Sequence, residues 1–492
     1  MLAGKELDAM SEREKEGKYE EVCRITNVAA FTNEHQYLKE GYERYSKHGK
    51  PFVLPGLHWP EVVLPPEDVK WLASLPEDVC DATHVQEELL GLRYISHGPD
   101  IEWVHDFSNI RRDLKIHMTD ALPEVLDEVK IAFSSALGQP HTWTRIKALK
   151  AMKTATMGVF NRITVGQLLC RDDKYLSAVQ RMVMTFALTG IVYRFLIPNC
   201  LKKWVMPAVS KPYRWALTRA SAMYMPTVQK RLHEYKVSKS RDGLPNDMLQ
   251  WTIERAVSKY GSSAVGVQDV ADTMVFLNIF AAITIDLVLD TVLIDVLSYS
   301  PNSMLVQQLR READEALPRL NQNPLGALAE MTKIDSVIRE TLRIHPPNDH
   351  GMMRQIVKPG GVTTPGGLYL PEGTHVGAHV AAVQRDTKTC HDADQYRPLR
   401  FSEDRQQVGE PSTTAVHISD KFLPFALGRH ACPGRFFAVH VLKLILGHIF
   451  TAYDFEPLSE RPVVRSIGGI NLPDDNTLIG VRLRQRHAGS KN

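Results

Sequence analysis

Residues 268–297 are the most apolar helix candidate in this chain, holding Met274, Val275, Phe276, Leu277, Ile279, Phe280, Ala281, Ala282, Ile283 and Ile285 before Asp286, Asp290 and Asp295 appear. A helix that is apolar on nearly all sides is stable only when other helices, or lipid, surround it. The three aspartates in its second half argue against lipid, because an ionised carboxylate at a bilayer centre costs about 2.5–3.5 kcal/mol even on a lenient scale. The segment is therefore expected to run through the middle of a large helical domain.

Helical patterns dominate from about residue 100 to 345. Pro301 stands where a helix can begin, residues 304–317 carry one apolar face, and Met331, Ile334, Ile338 and Leu342 recur at spacings of three and four before the Pro346-Pro347 stop. Beyond that stop the period changes. Residues 362–364, 368–370 and 374–380 are strand candidates separated by Pro-Gly turns, and residues 51–55 and 62–65 are short strands near the start. The fold class is mainly α with a smaller β region. One catalytic domain over residues 31–492 is expected, preceded by an extension, residues 1–30. Lys5, Glu6, Asp8, Glu12 and Arg13 occupy the place where a signal or membrane anchor needs an apolar run, so no such segment is read there. An intracellular protein is expected, either cytoplasmic or peripherally attached to the endoplasmic reticulum. The net charge of +2 on 492 residues carries no electrostatic footprint for nucleic acid.

The six cysteines lie far apart with no CxxC pair, which fits free thiols better than disulfides or a zinc ribbon. His375 and His379 share one face of a strand candidate, but that spacing separates them too far to hold one ion. Cys432 is the special one. It sits in FLPFALGRHACPGRFFAVH, residues 422–440, just ahead of an apolar helical pattern. Backbone N–H groups and the positive end of a helix lower a thiol's pKa and favour the metal-ligating thiolate. Gly428 and Gly434 allow tight turns and close approach to something flat.

The pattern Phe425-x-x-Gly428-x-x-x-Cys432-x-Gly434 resembles the haem-binding loop of the cytochrome P450 family, and Glu340-Thr341-Leu342-Arg343 and Tyr396-Arg397-Pro398-Leu399-Arg400-Phe401 match two further motifs in the family's order. The resemblance implies the cytochrome P450 fold and heme b (iron-protoporphyrin IX) with Cys432 as its axial thiolate. It also implies a buried structural network of Glu340, Arg343 and Arg400. Propionate donors are implied at His430, Arg354 and Arg111, with Arg112 competing.

In that family the central helix carries an acid and a threonine that relay protons. Here Phe280-Ala281-Ala282-Ile283-Thr284-Ile285-Asp286 resembles the form common in fungal members, with Ile285 in place of the usual threonine. Thr284 and Asp286, one residue to either side, are the catalytic candidates. Substrate contacts are implied by position at Phe280, Ala281, Ile285 and Met353, and in residues 101–107, 348–353 and 467–470. The expected activity is monooxygenation of a hydrophobic secondary metabolite, such as a terpenoid, a polyketide or a polyketide-amino acid hybrid. Electrons would come from NADPH through a separate NADPH-cytochrome P450 reductase, with Lys421, Arg429 and Arg435 as docking contributors on an expected monomer. Ring closure, coupling or rearrangement is the alternative chemistry, and a non-enzymatic haem sensor a third reading.

Overall fold

The apolar stretch forms one helix, Val267–Ser298, within a residue of the expected bounds. The computed structural model describes residues 34–54, 60–95, 107–238, 243–261, 265–299, 304–388, 390–404, 413–467 and 469–485. The expected extension and residues 101–106 lie outside these. Helices Ala148–Thr164, Asp173–Ile191, Lys211–Ser238, Met248–Tyr260, Thr332–Ile344 and Arg435–Ala452 all pack on the central helix. Val270, Val275, Leu289, Val292, Leu293 and Ile294 are fully buried there. Each such side chain contributes about 1.5–3 kcal/mol by leaving water, which is why a sequence this apolar settles at the centre. One polar tie is built into the contact: Asn161 Nδ2 donates to Asn278 Oδ1 at 2.7 Å.

Helix Arg435–Ala452, directly after the cysteine loop, is apolar and long enough to cross a membrane, but most of it is buried inside the protein. Helix Asp173–Arg194 passes the same test by length and composition and is less than half buried.

The strands do not form one late sheet, as their sequence positions suggested. His375–His379 pairs in parallel with the early strand Glu61–Leu64 and antiparallel with His350–Ile356. Phe52–Leu54 and Cys80–Asp81 complete a five-stranded sheet. Val362–Thr363 and Tyr369–Leu370 form a separate hairpin. His350–Ile356 is irregular: Gly351 pairs with Ala378 but Arg354 with Val376, so three steps on one strand match two on the other. Met352 adopts φ +60 at this bulge. Bulges re-aim side chains, and this one stands beside the candidate active site. His375 and His379 go separate ways within the sheet, His375 Nε2 lying 3.4 Å from Glu88 and His379 standing edge-on to Tyr42.

Asp286, Asp290 and Asp295 of the central helix are all buried. Asp295 pairs with His345 at 2.9 Å and Arg461 at 2.7 Å. Asp286 and Asp290, one turn apart, face Lys153, whose ammonium lies 2.7 Å from Asp475. Burial raises the Asp286 carboxyl to about 7, with Lys153 opposing the rise. Burial also pushes Asp290 well above the usual carboxylate range, and the Asp286 charge adds to the shift. A proton held more tightly in the folded chain than in the unfolded one stabilises the fold at low pH, and that contribution is lost as pH rises toward the folded pKa. Asp286→Asn is therefore expected to unfold a few degrees above the wild type near about pH 8, with the gap closing toward about pH 5. Thermal unfolding followed by circular dichroism checks this, and a variant no more stable than wild type at the higher pH contradicts it.

Candidate active site

The cysteine loop is held in place from two sides. Cys432 donates its backbone N–H to Phe425 O at 2.8 Å, closing the loop on itself. Gly428 adopts φ +77, and a Cβ there would stand 2.6 Å from Ala73 O on helix Val69–Ser74. Both the turn and the close approach demand glycine at this position. Gly434 is different, with φ −88 and nothing within 4 Å of where a Cβ would be, so the fold itself does not require glycine there.

Helix Arg435–Ala452 starts right after the loop and aims its first N–H groups back at the sulfur. Burial nevertheless leaves the Cys432 thiol above its ordinary value. The backbone N–H groups of Gly434 and Arg435 and the guanidinium groups of Arg435 and Arg111 oppose that rise. The helix terminus lowers the thiol as expected, but desolvation outweighs it and the net shift is upward, opposite to the expectation. A metal cation at the sulfur reverses the balance, because a coordinating thiol is deprotonated outright. At Cys80 and Cys170 burial outweighs the nearby guanidinium groups and pushes the thiols to about 11 and about 12.

Cys432 opens onto a cavity of about 670 Å³. Phe425, Pro424 and Leu423 from the loop line it, with Gly351, Met352 and Val380 from the sheet side. Cations gather at one rim. Arg111 donates from Nη2 to Ala431 O at 2.8 Å and faces the cavity, whereas neighbouring Arg112 is exposed and does not line it. His430 lines the cavity with Nε2 3.2 Å from Glu77 Oε1. Arg354 is 1% exposed, and its Nη1 has no hydrogen-bond partner. Burial lowers its pKa, and the nearby Arg429 charge adds to the effect. A buried guanidinium with an orphaned N–H beside further cations calls for an anion. The donor set of one thiol opening onto the cavity and nearby cations fits an iron porphyrin bearing carboxylates.

Behind the loop lies a buried charge network. Arg343 donates to Glu340 from Nε at 2.8 Å and from Nη2 at 2.9 Å, and Arg400 Nε reaches Glu340 Oε1 at 3.3 Å. The remaining guanidinium N–H groups go to backbone carbonyls, among them Ala393, His391 and Gln384. Gln384, which no motif marked, carries the network forward: its Oε1 accepts from Leu423 N at 3.0 Å, at the entrance to the cysteine loop.

The central helix presents its two catalytic candidates to opposite sides. Residues two apart differ by about 200° around a helix. Thr284 is exposed, in line with half-buried Phe280, Ala281 and Val288, and its hydroxyl donates to Phe280 O at 2.6 Å. Asp286 faces Lys153 and Asp475 instead, so the structure does not bring it together with Thr284. Ile285 is buried, and neither it nor Phe280 nor Ala281 walls the cavity described above. Met353 does not either. The bulge puts Met352 there in its place. Of the three docking cations, Lys421 is exposed, Arg429 lines the cavity and Arg435 donates to Cys432 O at 3.0 Å. Glu77, Thr83 and Gln86, also lining residues, carry no signal in the sequence that would have marked them.

Fold and site together define a haem-thiolate protein. The family model for cytochrome P450 matches residues 105–479. Cytochrome P450 monooxygenase polB of Polytolypa hystricis is 30% identical over 471 residues, which cover 92% of this chain and 89% of that protein. Cytochrome P450 monooxygenase lnaC of Aspergillus flavus is 28% identical over 453 residues, covering 90% and 86%. Cytochrome P450 monooxygenase nodZ of Hypoxylon pulicicidum is 27% identical over 477 residues, covering 91% and 88%. The chain belongs to the cytochrome P450 family, as a haem-dependent oxygen-incorporating oxidoreductase of the fungal secondary-metabolism type.

Two substitutions test the supports of the loop. Glu340→Ala strands two buried guanidinium groups and is expected to cost about 3–5 kcal/mol. Gly428→Ala is expected to cost about 1–3 kcal/mol, concentrated in the loop. Denaturant unfolding with haem content per chain measures both. Full haem retention at wild-type stability in either variant contradicts the account.

Proposed function

We propose that this enzyme inserts oxygen into a largely apolar secondary metabolite, a terpenoid, polyketide or polyketide-amino acid hybrid, in one catalytic domain spanning residues 31–492. The observation that carries the site assignment is the conjunction of a thiol at the cavity with an orphaned buried guanidinium, Arg354, near the lining residues Arg429 and His430. Cys432 would ligate the haem iron, and Arg354, His430 and Arg111 would hold its propionates. The haem held there supplies dioxygen activation with two electrons from NADPH through a separate reductase, one oxygen atom entering the substrate and the other leaving as water. Phe425 and Leu423 keep bulk water from the sulfur side. Thr284 holds a hydroxyl on the least buried face of the central helix, where it can pass a proton drawn from water.

Substitution of Ile285 for the family threonine, with Asp286 turned toward Lys153, favours a second reading. A central-helix face around Thr284 without an acid suits hydrogen abstraction followed by ring closure or coupling, in which no oxygen remains in the product. Isotope incorporation from labelled dioxygen separates the two. Under the first reading the product gains one labelled oxygen, and under the second it gains none.

Cys432→Ser is expected to abolish the absorption band that carbon monoxide gives with reduced thiolate-ligated haem. Thr284→Ala is expected to keep that band and to lower product formed per NADPH consumed several-fold. Unchanged coupling in Thr284→Ala removes Thr284 from proton delivery.

A further inference from the structure

Helix Thr332–Ile344 presents Glu340 to the buried network, and the residue before it, Arg339, leaves the helix about 100° away. Arg339 is 6% exposed. Its guanidinium carbon stands 4.7 Å from the centre of the Phe401 ring and 3.9 Å from the centre of the Phe422 ring, so two aromatic side chains enclose the charge. Nη1 donates to Thr414 O at 2.6 Å and to His417 O at 3.0 Å. One turn earlier on the same helix, Asp335 accepts from Ala415 N at 2.9 Å, and the two side chains together grip residues 414–417. Both rings have neighbours that matter to the site. Phe401 follows Arg400 of the Glu340 network, while Phe422, 2% exposed, opens the cysteine loop directly before Leu423. From there the loop runs to Phe425, whose carbonyl accepts the N–H of Cys432.

We propose that Arg339 is a positioning residue for the sulfur of Cys432, acting through Phe422 and residues 414–417. The inference rests on Cys432 as the axial ligand. Burying a guanidinium is costly, and here the cost is offset only while both rings and both carbonyls stay where they are. Attraction between a cation and an aromatic face grows when water is excluded, so the sandwich is strongest in the closed arrangement. That fixes the entrance of the cysteine loop. A site that binds a group through one atom works only if its supports hold that atom within about 0.5 Å, and Phe422 stands ten residues before the sulfur at the point where the loop leaves the core. Arginine suits this place and lysine does not. A planar guanidinium can face two rings while its fork of donors reaches two carbonyls, whereas an ammonium is a compact, strongly hydrated point charge.

The experiment compares Arg339→Met and Arg339→Lys with the wild-type haem protein below its unfolding temperature, by the carbon monoxide spectrum of the reduced form and by the rate of haem transfer to apomyoglobin. In both variants the share of haem lacking the thiolate band is expected to rise at least about fivefold, and haem to leave faster by a similar factor. Lysine is expected not to rescue, because it keeps the charge and loses the double stack. Glu312→Ala is the control for general stability. Glu312 caps the start of the same helix, its hydrogen bonds going to residues 332–334, and its loss is expected to lower the unfolding temperature with the thiolate band unchanged. A wild-type band and wild-type haem retention in Arg339→Met, or full rescue by Arg339→Lys, overturns the proposal. So does loss of the band in Glu312→Ala to the same extent, which would reduce the effect to stability. Should Arg339→Met fail to fold, Arg339→Lys decides alone. A wild type without the thiolate band refutes the ligand assignment, and the role of Arg339 falls with it.

Discussion

A carboxylate buried without water needs partners for both oxygens, and Glu340 obtains them from Arg343, Arg400 and the backbone N–H of Arg397. Those arginines in turn spend their other donors on the carbonyls of residues 384–395, a region with little regular structure. Loose chain is thereby fixed by charge-assisted hydrogen bonds where helix or sheet hydrogen bonding is absent. Gln384 passes this order to Leu423, and Leu423 opens the loop that presents Cys432. Lys443, buried against Asp335 at 2.8 Å, ties the helix after the cysteine to the helix that carries Glu340. The position of one sulfur thus depends on a charge cluster with which it shares no contact.

The central helix separates two environments. One face is least buried around Thr284, and the opposite face carries Asp286 and Asp290 among the side chains of helix Ala148–Thr164. Such an acidic pair, met by a single lysine that also binds Asp475, keeps protons by desolvation. The acids that sequence order places beside the catalytic threonine position therefore serve the protein interior, because helical rotation turns neighbours in sequence to opposite sides in space.

Much of this was legible from residue types alone. The unbroken apolarity of residues 274–285 has one solution in water, and the helix appears where expected. Glu340, Arg343 and Arg400 were readable as a set because charged residues in an apolar context need each other. The cysteine loop was readable because few sequences place a cysteine between Gly428 and a helix start. Missed residues have another character. Gln384, Glu77 and Gln86 are ordinary polar residues whose roles depend on what the chain brings near them, and no local pattern records that. Met353 is placed at the substrate by position in the family pattern, and at the bulge after Gly351 it is Met352 that lines the cavity.

The sequence by itself determined the central helix, the cysteine loop and the membership of the charge network, since each follows from short-range pattern and from the cost of burying the wrong group. Tertiary structure alone decided that Gly428 must be glycine, through the approach of Ala73 O, and that Arg354 is buried near Arg429 with an unpaired N–H. It also decided that Asp286 belongs to Lys153 and that Arg339 lies between Phe401 and Phe422. The reason is the same in every case: local pattern sets which face a residue occupies, and only long-range packing sets what that face meets.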